Sequence, residues 1–300
     1  MHLALVSCDA LAQYAATNVA AEDQQLADYL RARGIQVSYV SWTDPSVQWE
    51  AFDVAVLKSP WDYFERPAEF HNWLNELDAR GVRLLNPTGI VRHNADKLYL
   101  RDMEQAGVPI VPTHWLPRGS RVEPAALLAE LGTERLVLKP TVSGGAKDTF
   151  ALGLAEAQAA QEQLQALVDE ADFMAQPFLP QIQTSGEWSL VFFGGQLSHC
   201  VRKTPKSGDF RVQHFHGGAI HTETPPAPIL AVAQDIVARF AEDCLYARVD
   251  GVEAPDGGFW LMELEMIEPF LYMDSAGEAA YQRYYEALRR LTQPSEVAAH

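Results

Sequence analysis

Three acidic residues lie in two neighbouring segments near the end of the chain, where alternating apolar residues predict strands. Asp250 is in RVDGVE, Glu263 and Glu265 are in LMELE, and PDGG separates the segments. If the segments pair about that turn, Asp250 lies opposite Glu263 and the three carboxylates share one face with Arg248. Their cross-strand separations would then be about 4.5–8 Å. Like charges this close need screening by water, raised pKa values or a cation, and a cluster of carboxylate oxygens suits Mg²⁺.

The other face of this hairpin is predicted to join the core, with Val249, Met262, Leu264 and Met266. For the acidic face, an ordinary water-facing strand of an acidic protein is the alternative. The interpretation also depends on the turn, because a slip of one residue would send the carboxylates to opposite faces.

A loop of small residues could bind phosphate. Lys139 ends the strand-like run LVLK, and in the following loop PTVSGGAKDTF the residues Ser143, Gly144 and Gly145 leave backbone N–H groups open. Such loops bind phosphate, and a lysine adds a positive charge. A plain turn is the alternative, since the chain contains no GxxxxGK[ST], GxGxxG or GxSxG motif.

A second lysine that could bind phosphate is Lys97. The segment NADKLYLRDMEQAG predicts a helix that is capped by Asn94 and stopped by Gly107, with Lys97 in its first turn. An ordinary solvated lysine is the alternative interpretation.

Residues after an early strand are candidates for substrate contact. Ser59, Trp61, Asp62 and Tyr63 follow the apolar run VAVL, and open α/β sheets bind ligands at the carboxyl ends of their strands. A loop packed on its own aromatic rings is the alternative. His214 and His216 alternate along a predicted strand, but no third ligand has suitable spacing, so a polar strand face is expected there.

The elements that must position these groups change character along the chain. Up to about residue 93, apolar strand-like runs alternate with helical patterns, which predicts a parallel sheet covered by helices. A compact α+β unit and a hairpin-rich unit follow. The fold class is therefore α/β and α+β.

Composition excludes several classes of partner. The 300 residues are 48% hydrophobic and carry a net charge of −17, which repels nucleic acid and anionic lipid. The sequence contains no run of roughly 18–20 apolar residues that could span a membrane. The opening MHLALVSCD lacks the basic region and the cleavage site of a signal peptide and is predicted to be a first buried strand. Three widely spaced cysteines favour a reducing compartment, so a cytoplasmic protein is expected. The sequence leaves a homo-oligomer open.

The candidate groups occur in a distinctive order: two lysines with the glycine loop, the strand end MAQPFL, and then the acidic hairpin. In this order the chain resembles the ATP-grasp superfamily, especially its branch of glutathione synthetases and ribosomal-protein-glutamate ligases. The blocks FDVAVLKSPWDYFERPAEFHNWL, GDFRVQHFHGG and LMELEMIEPFLYMD are similar to the cyclo-ligases of D-cycloserine biosynthesis. The resemblance implies a Rossmann-like N-terminal domain over 1–93, a central ATP-grasp lobe over 94–180 and a C-terminal lobe with a Mg²⁺ site over 181–300.

The resemblance also implies roles for individual residues. Lys97 and Lys139 would contact the phosphates of ATP, and Glu187 would lie near its ribose. The loop that closes over the phosphates would contain Ser143, Gly144, Gly145 and Lys147. The hinge against the adenine would consist of Gln176, Pro177, Phe178 and Leu179.

The remaining roles concern the metal and the reaction. Asp250, Glu263 and Glu265 would bind Mg²⁺, although many relatives end this motif with Glu-x-Asn, which leaves the number of ions open. Arg202 and Arg211 would contact the acyl phosphate and the substrate carboxylate; surface charge is the alternative for both.

The activity implied is ATP-dependent ligation of a carboxylate to an amine through an acyl phosphate, with an amino-acid-like small molecule as substrate. Cyclisation of O-ureido-D-serine to D-cycloserine is the specific expectation, and a ligase of glutathione-synthetase type with another substrate is the alternative. Two other classes stay open. They are a hydrolase using Asp250 with Glu263 or Glu265, and a regulator that binds Mg-ATP without turnover.

Overall fold

Three sheets organise the protein, whose computed structural model describes residues 1–9, 17–205 and 218–293. The first sheet is parallel, as predicted, with the spatial order β2-β1-β3-β4. Its strands are β1 (His2–Ser7), β2 (Gln36–Ser41), β3 (Val54–Ser59) and β4 (Leu84–Leu85).

The other two sheets are antiparallel and follow one another in the chain. The second has the order β5-β8-β6-β7 and the third β11-β10-β9-β12-β13. The second sheet contains β5 (His114–Leu116), β6 (Arg135–Pro140), β7 (Phe150–Gly153) and β8 (Phe173–Pro177). The third contains β9 (Glu187–Phe193), β10 (Gln196–Thr204), β11 (Ala219–Thr222), β12 (Tyr246–Glu253) and β13 (Phe259–Glu265). The predicted domain boundaries fall between these sheets and stay predictions.

Helices cover the sheets, and no helix in the described part of the chain has the length and apolar character needed to cross a membrane. Several end where the sequence predicts, because Gly34 and Gly81 adopt the left-handed conformation just beyond them. The helices are α1 (Thr17–Arg31), α2 (Pro67–Ala79), α3 (Thr88–Asn94), α4 (Tyr99–Gln105), α5 (Pro124–Glu130), α6 (Leu154–Ala159), α7 (Gln161–Glu170), α8 (Gln181–Thr184), α9 (Ala227–Phe240), α10 (Met273–Ala276) and α11 (Glu278–Thr292).

The prediction of one helix beginning at Asn94 is wrong. Asn94 is the last residue of α3, and Lys97 lies in the turn that leads to α4. The Asn94 side chain cannot cap a helix because it is bonded to β13, donating to the Leu264 carbonyl at 2.7 Å and accepting from the Met266 N–H at 3.0 Å. The turn thus fixes Lys97 beside the acidic hairpin.

The predicted hairpin is confirmed, with Asp250 opposite Glu263. One irregularity follows between Asp250 and Gly251, where an added Cβ would lie 2.3 Å from the Trp260 carbonyl. Because of this irregularity Met262 does not join the buried core face, which is a correction to the prediction. Phe259, Leu261 and Leu264 of β13, with Met266 just after the strand, belong to that core.

The first and third sheets share one hydrophobic core, which contains side chains of β1, β3, β9 and β12. The buried Tyr246 hydroxyl reinforces this contact, because its single proton is shared between the carbonyls of Leu57 at 2.7 Å and Ile267 at 2.9 Å. The N-terminal unit is therefore held firmly against the sheet that carries the acidic residues.

Candidate active site

The third sheet brings the three predicted carboxylates together. One oxygen from each of Asp250, Glu263 and Glu265 lies within 4.8 Å of the others. Asp250 is buried, with 2% of its surface exposed, and Ser189 on β9 donates a hydrogen bond to it. This geometry gives a cluster of oxygen ligands on one sheet face, while metal binding itself stays a prediction.

Two cations on the same face partly neutralise this cluster, and the sequence analysis assigned neither of them a role. The guanidinium of Arg248 contacts Asp250 Oδ2 at 2.7 Å and also Glu265. Lys203 Nζ is ion-paired with Glu187 and lies 3.7 Å from Asp250 Oδ1. The sequence does contain a signal for Arg248. It stands two residues before Asp250 in β12, so the alternation of side chains places both residues on the same face.

The three carboxylates differ in how fully their charge is compensated. Burial raises the pKa of Asp250, but Arg248 and Lys203 outweigh it and hold the pKa at about 2. Burial and repulsion from Asp250 and Glu263 raise the pKa of Glu265 well above its usual range, despite the opposing attraction of Arg248. Burial and mutual repulsion therefore oppose ionisation of all three carboxylates at once, and an added cation would relieve this cost.

Lys97 connects the acidic cluster to the glycine loop. Its Nζ lies 3.1 Å from Glu263 Oε1 and donates to the Ser143 carbonyl at 2.9 Å. Burial lowers the pKa of Lys97, but attraction to Glu263 more than offsets this, so the amine stays charged. For Glu263, burial raises the pKa, and attraction to Lys97 and Lys139 brings it below its ordinary value.

Lys139, on β6, faces the same cluster without being paired. Within residues 1–9, 17–205 and 218–293 its amine makes no hydrogen bond or salt bridge, although Glu263 and Glu187 attract it at longer range. Burial, together with repulsion from Lys97, lowers its pKa. A partly buried amine of this kind gains by binding an anion.

The glycine loop lies against the N-terminal domain. At Gly144 an added Cβ would be 2.5 Å from the Phe64 ring, so this close approach requires glycine. Lys147 Nζ is 3.1 Å from Glu65 and 54% of its side chain is exposed, which places it at the outer edge of the loop. Gly145 has a φ of +60°, as its predicted place in a tight loop requires.

The predicted hinge joins the second sheet to the third. Gln176 donates to the Thr113 hydroxyl at 3.0 Å, and the Phe178 N–H donates to the Arg135 carbonyl at 2.8 Å. At the end of the hinge, Leu179 packs in an apolar cluster that includes β12. Pro177 is the last residue of β8, so the chain leaves one sheet and reaches the next within this segment.

Arg202, predicted to contact the acyl phosphate or the substrate carboxylate, is not among the charged groups on the acidic face, and its role stays a prediction. It pairs with Trp188 and so faces the opposite side of the sheet, where its guanidinium contacts Glu223 at 2.6 Å. An irregularity after Leu197 causes this, because it places Lys203 rather than Arg202 opposite Glu187. The predictions for Arg211, His214 and His216 lie outside the described residues.

Of the four N-terminal candidates, the structure brings Tyr63 to the acidic cluster. The buried Ser59 hydroxyl donates to Asp23 at 2.5 Å, and the buried Asp62 carboxylate accepts from Trp42 at 2.6 Å. Ser59 and Asp62 are thus engaged in internal bonds and are corrected as candidates for substrate contact. The Trp61 indole N–H is buried and has no acceptor in the described part of the chain.

A further acid that the sequence analysis missed lies beside Tyr63. Burial and repulsion from Glu263 raise the pKa of Glu268 to about 7, while Lys97 and a hydrogen bond from Tyr63 act in the opposite direction. No motif pointed to Glu268, whose surroundings arise only when the N-terminal domain packs on the third sheet.

Comparison with known proteins agrees with this architecture. Residues 3–86 match the family model of the N-terminal domain of D-cycloserine synthetase DcsG, and residues 123–253 match that of the ATP-grasp domain of prokaryotic glutathione synthetase. The chain is 30% identical to the cycloserine biosynthesis protein DcsG of Streptomyces lavendulae, over 90% of this chain and 93% of that protein.

Solved structures show the same fold. The crystal structure of D-cycloserine synthetase DcsG superposes with a TM-score of 0.83 at 28% identity, covering 98% of this chain and all of that one. The D-alanine–D-alanine ligase of Bacillus anthracis in complex with ATP superposes with a TM-score of 0.71 at 14% identity, covering 97% of both chains. The chain therefore belongs to the DcsG family of ATP-dependent ligases with the ATP-grasp fold.

Proposed function

We propose that this enzyme converts a carboxylate to an acyl phosphate with ATP and then joins the acyl carbon to an amine, in the cytoplasm. The observation that carries the proposal is the 3.1 Å contact between Lys97 and Glu263. It brings a phosphate-binding lysine and a metal-binding carboxylate, which are far apart in sequence, into one site.

The residues fit a magnesium ion. Asp250, Glu263 and Glu265 offer oxygen ligands within 4.8 Å of one another, and the raised pKa of Glu265 reflects burial and repulsion that a bound cation would relieve. Mg²⁺ prefers such hard oxygen ligands and is usually shared with substrate phosphates. When bound, the ion would neutralise the phosphate oxygens of ATP.

The protein's own cations account for the rest of the charge stabilisation. Lys97 and the unpaired Lys139 would bind the transferring phosphate. Arg248, held beside Asp250 and Glu265, would also stabilise the negative charge of this phosphate. The glycine loop, packed on Phe64, would cover these groups and exclude water, which protects an acyl phosphate from hydrolysis.

For the substrate, we propose O-ureido-D-serine. Its carboxylate would attack the γ-phosphorus and release ADP. The ureido nitrogen that is bound to oxygen would then attack the acyl carbon and expel phosphate, which closes the ring. Water would cleave the bond between this nitrogen and the carbamoyl carbon, which gives D-cycloserine and releases the carbamoyl group as CO₂ and NH₃. Support comes from the match to DcsG proteins over nearly the whole chain.

The test uses O-ureido-D-serine labelled with ¹⁸O in its carboxylate, together with ATP and Mg²⁺. We expect ADP and D-cycloserine in equal amounts, and phosphate that carries one ¹⁸O atom, because an acyl phosphate passes one carboxylate oxygen to phosphate. Unlabelled phosphate would contradict the acyl phosphate. If ADP forms only with a different amino acid and amine, the cyclisation is wrong and the ligase chemistry remains.

A further inference from the structure

A buried carboxylate of the N-terminal domain holds a loop of the C-terminal lobe. Glu22 on α1 accepts hydrogen bonds from the backbone N–H groups of Leu271 at 2.9 Å and Met273 at 3.0 Å, one with each oxygen. Lys58 Nζ lies 3.0 Å from Glu22 and 2.9 Å from Asp23. Glu22 and Lys58 are each only 2% exposed, so this ion pair is built into the interior.

The residue between the two bonded amides has a strained backbone. Tyr272 adopts the left-handed conformation with a φ of +52° and a ψ of +33°, which is uncommon for a bulky residue. Such a conformation persists only where its surroundings enforce it. The two bonds to Glu22 lie on either side of Tyr272, and His199 donates to the Leu271 carbonyl at 2.7 Å.

This loop in turn orients the arginine of the acidic cluster. The Arg248 guanidinium donates to the Phe270 carbonyl at 2.8 Å and lies 5.5 Å from the centre of the Tyr272 ring. On its other side the same guanidinium contacts Asp250 and Glu265. A continuous set of contacts thus runs from Glu22 through residues 270–273 to Arg248.

We propose that Glu22 is a positioning residue for the reaction, because it holds residues 270–273 in the form that fixes Arg248 on the acidic cluster. This inference rests on the proposed function, in which Arg248 stabilises the transferring phosphate. It also gives the buried Lys58 a role: its ion pairs with Glu22 and Asp23 orient the Glu22 carboxylate. Neither Glu22 nor Lys58 needs to touch the substrate.

The test is a double-mutant cycle with Glu22→Gln and Arg248→Lys, following ADP formation with O-ureido-D-serine. Glutamine keeps one acceptor oxygen and presents an amide NH₂ group to the other N–H. We expect Glu22→Gln to lower kcat about 10- to 100-fold, a loss typical of small displacements in a catalytic site. The KM for ATP should change by less than about threefold, because Glu22 does not bind the nucleotide.

The cycle separates positioning from general structural damage. Lysine cannot reproduce the fork of bonds that Arg248 makes, so in the Arg248→Lys background Glu22→Gln should lower kcat less than about threefold. Asp28→Asn, an exposed acid-to-amide change on the same helix, is the matched control and should leave kcat unchanged. Full activity of Glu22→Gln, or effects of the two substitutions that multiply, would overturn the inference.

If Glu22→Gln does not fold, a second variant tests the same inference. Tyr272→Asn keeps every bond to Glu22 and suits the left-handed conformation, but it removes the ring from Arg248. We expect kcat to fall about tenfold, again without a further loss in the Arg248→Lys background. Unchanged kcat would overturn the inference. Absence of ADP formation by the unaltered enzyme would instead overturn the proposed function, and this inference with it.

Discussion

Replacing Glu263 by glutamine separates the catalytic role of the acidic cluster from its effect on folding. In the protein without metal, Glu263 is repelled by Asp250 and attracted by Lys97, while the raised pKa of Glu265 limits its charge. At the 4.8 Å limit of the cluster, the repulsion from Asp250 is about 3.5 kcal/mol for an effective dielectric constant of about 20. On the same basis the Lys97 contact at 3.1 Å contributes about 5 kcal/mol of attraction.

These effects of opposite sign nearly cancel. The lowered pKa of Glu263 shows that attraction to Lys97 and Lys139 exceeds the costs of burial and repulsion. Glu263→Gln should therefore reduce stability only slightly, by about 1 kcal/mol, or about 2–4 °C in Tm. Turnover should fall much more, by about 10²–10³-fold, because a charge needed to hold the metal and orient Lys97 is gone.

The assay compares ADP formation at saturating ATP and Mg²⁺ with thermal unfolding of the same samples. Glu253→Gln, at the exposed opposite end of the hairpin, is the matched control and should change neither quantity. Glu263→Gln that keeps more than about half of the activity would refute the reasoning, since a neutral amide cannot replace the charge. Equal losses of activity and folded protein would refute it as well.

Three further perturbations follow from the same contacts. Lys139→Met should weaken ATP binding at least about tenfold without loss of stability, since burial disfavours the charged amine that it removes; isothermal calorimetry and thermal unfolding measure the two effects. For Glu268→Gln we compare the free energy of unfolding with that of the unaltered protein, by urea unfolding without Mg²⁺. As the pH rises from about 4.5 to 7, this difference should shift in favour of the variant by about 1–3 kcal/mol. The sign follows because the folded protein keeps a proton that the unfolded chain releases in this range. Gly251→Ala should lower the free energy of unfolding by about 1–3 kcal/mol, since its Cβ would meet the Trp260 carbonyl, and urea unfolding measures this loss.

Each of these has an outcome that contradicts it. Unchanged ATP affinity for Lys139→Met would mean that this amine does not face the phosphates. A stability difference for Glu268→Gln that stays flat between pH 4.5 and 7 would show that the carboxyl titrates normally. Gly251→Ala with unaltered unfolding would show that the strand pairing relaxes without cost.

The sequence predicted the acidic hairpin well because two local signals agree. Alternation sets the faces and the PDGG turn locates the hairpin, so the neighbourhood of Asp250 and Glu263 was predicted. Next to the turn, however, the observed pairs lie one residue out of the predicted register, with Glu253 opposite Phe259, and the irregularity at Gly251 restores the predicted pair of Asp250 with Glu263. The irregularity at Gly251 was not predictable from these signals, since it depends on how Phe259 packs against the strand. It changed the place of Met262 and brought Asp250 opposite Glu263.

Errors arose where distant contacts override local preference. Asn94 is a good helix cap by type, but its amide is bonded to β13. If β9 and β10 paired without interruption from the turn at Gly194 and Gly195, Arg202 would lie opposite Glu187. The irregularity after Leu197 shifts the pairing by one residue, so Lys203 lies there instead. Neither bond nor irregularity has a local sequence signal.

Residues of the site that the sequence analysis missed share this property. Glu268 acquires its buried surroundings, and Glu22 its bonds to the backbone of Leu271 and Met273, only because the N-terminal domain packs against the third sheet. Arg248 was placed on the correct face by alternation, but its role became visible only with its contacts to Asp250 and Glu265.

The most direct test of the central claim is a crystal of the enzyme with a non-hydrolysable ATP analogue and Mn²⁺, whose anomalous scattering locates the metal. The account predicts manganese bonded to Asp250, Glu263 or Glu265 and to phosphate oxygens, with the amines of Lys97 and Lys139 in contact with the same triphosphate. Manganese bound elsewhere, or a triphosphate that touches neither lysine, would contradict it.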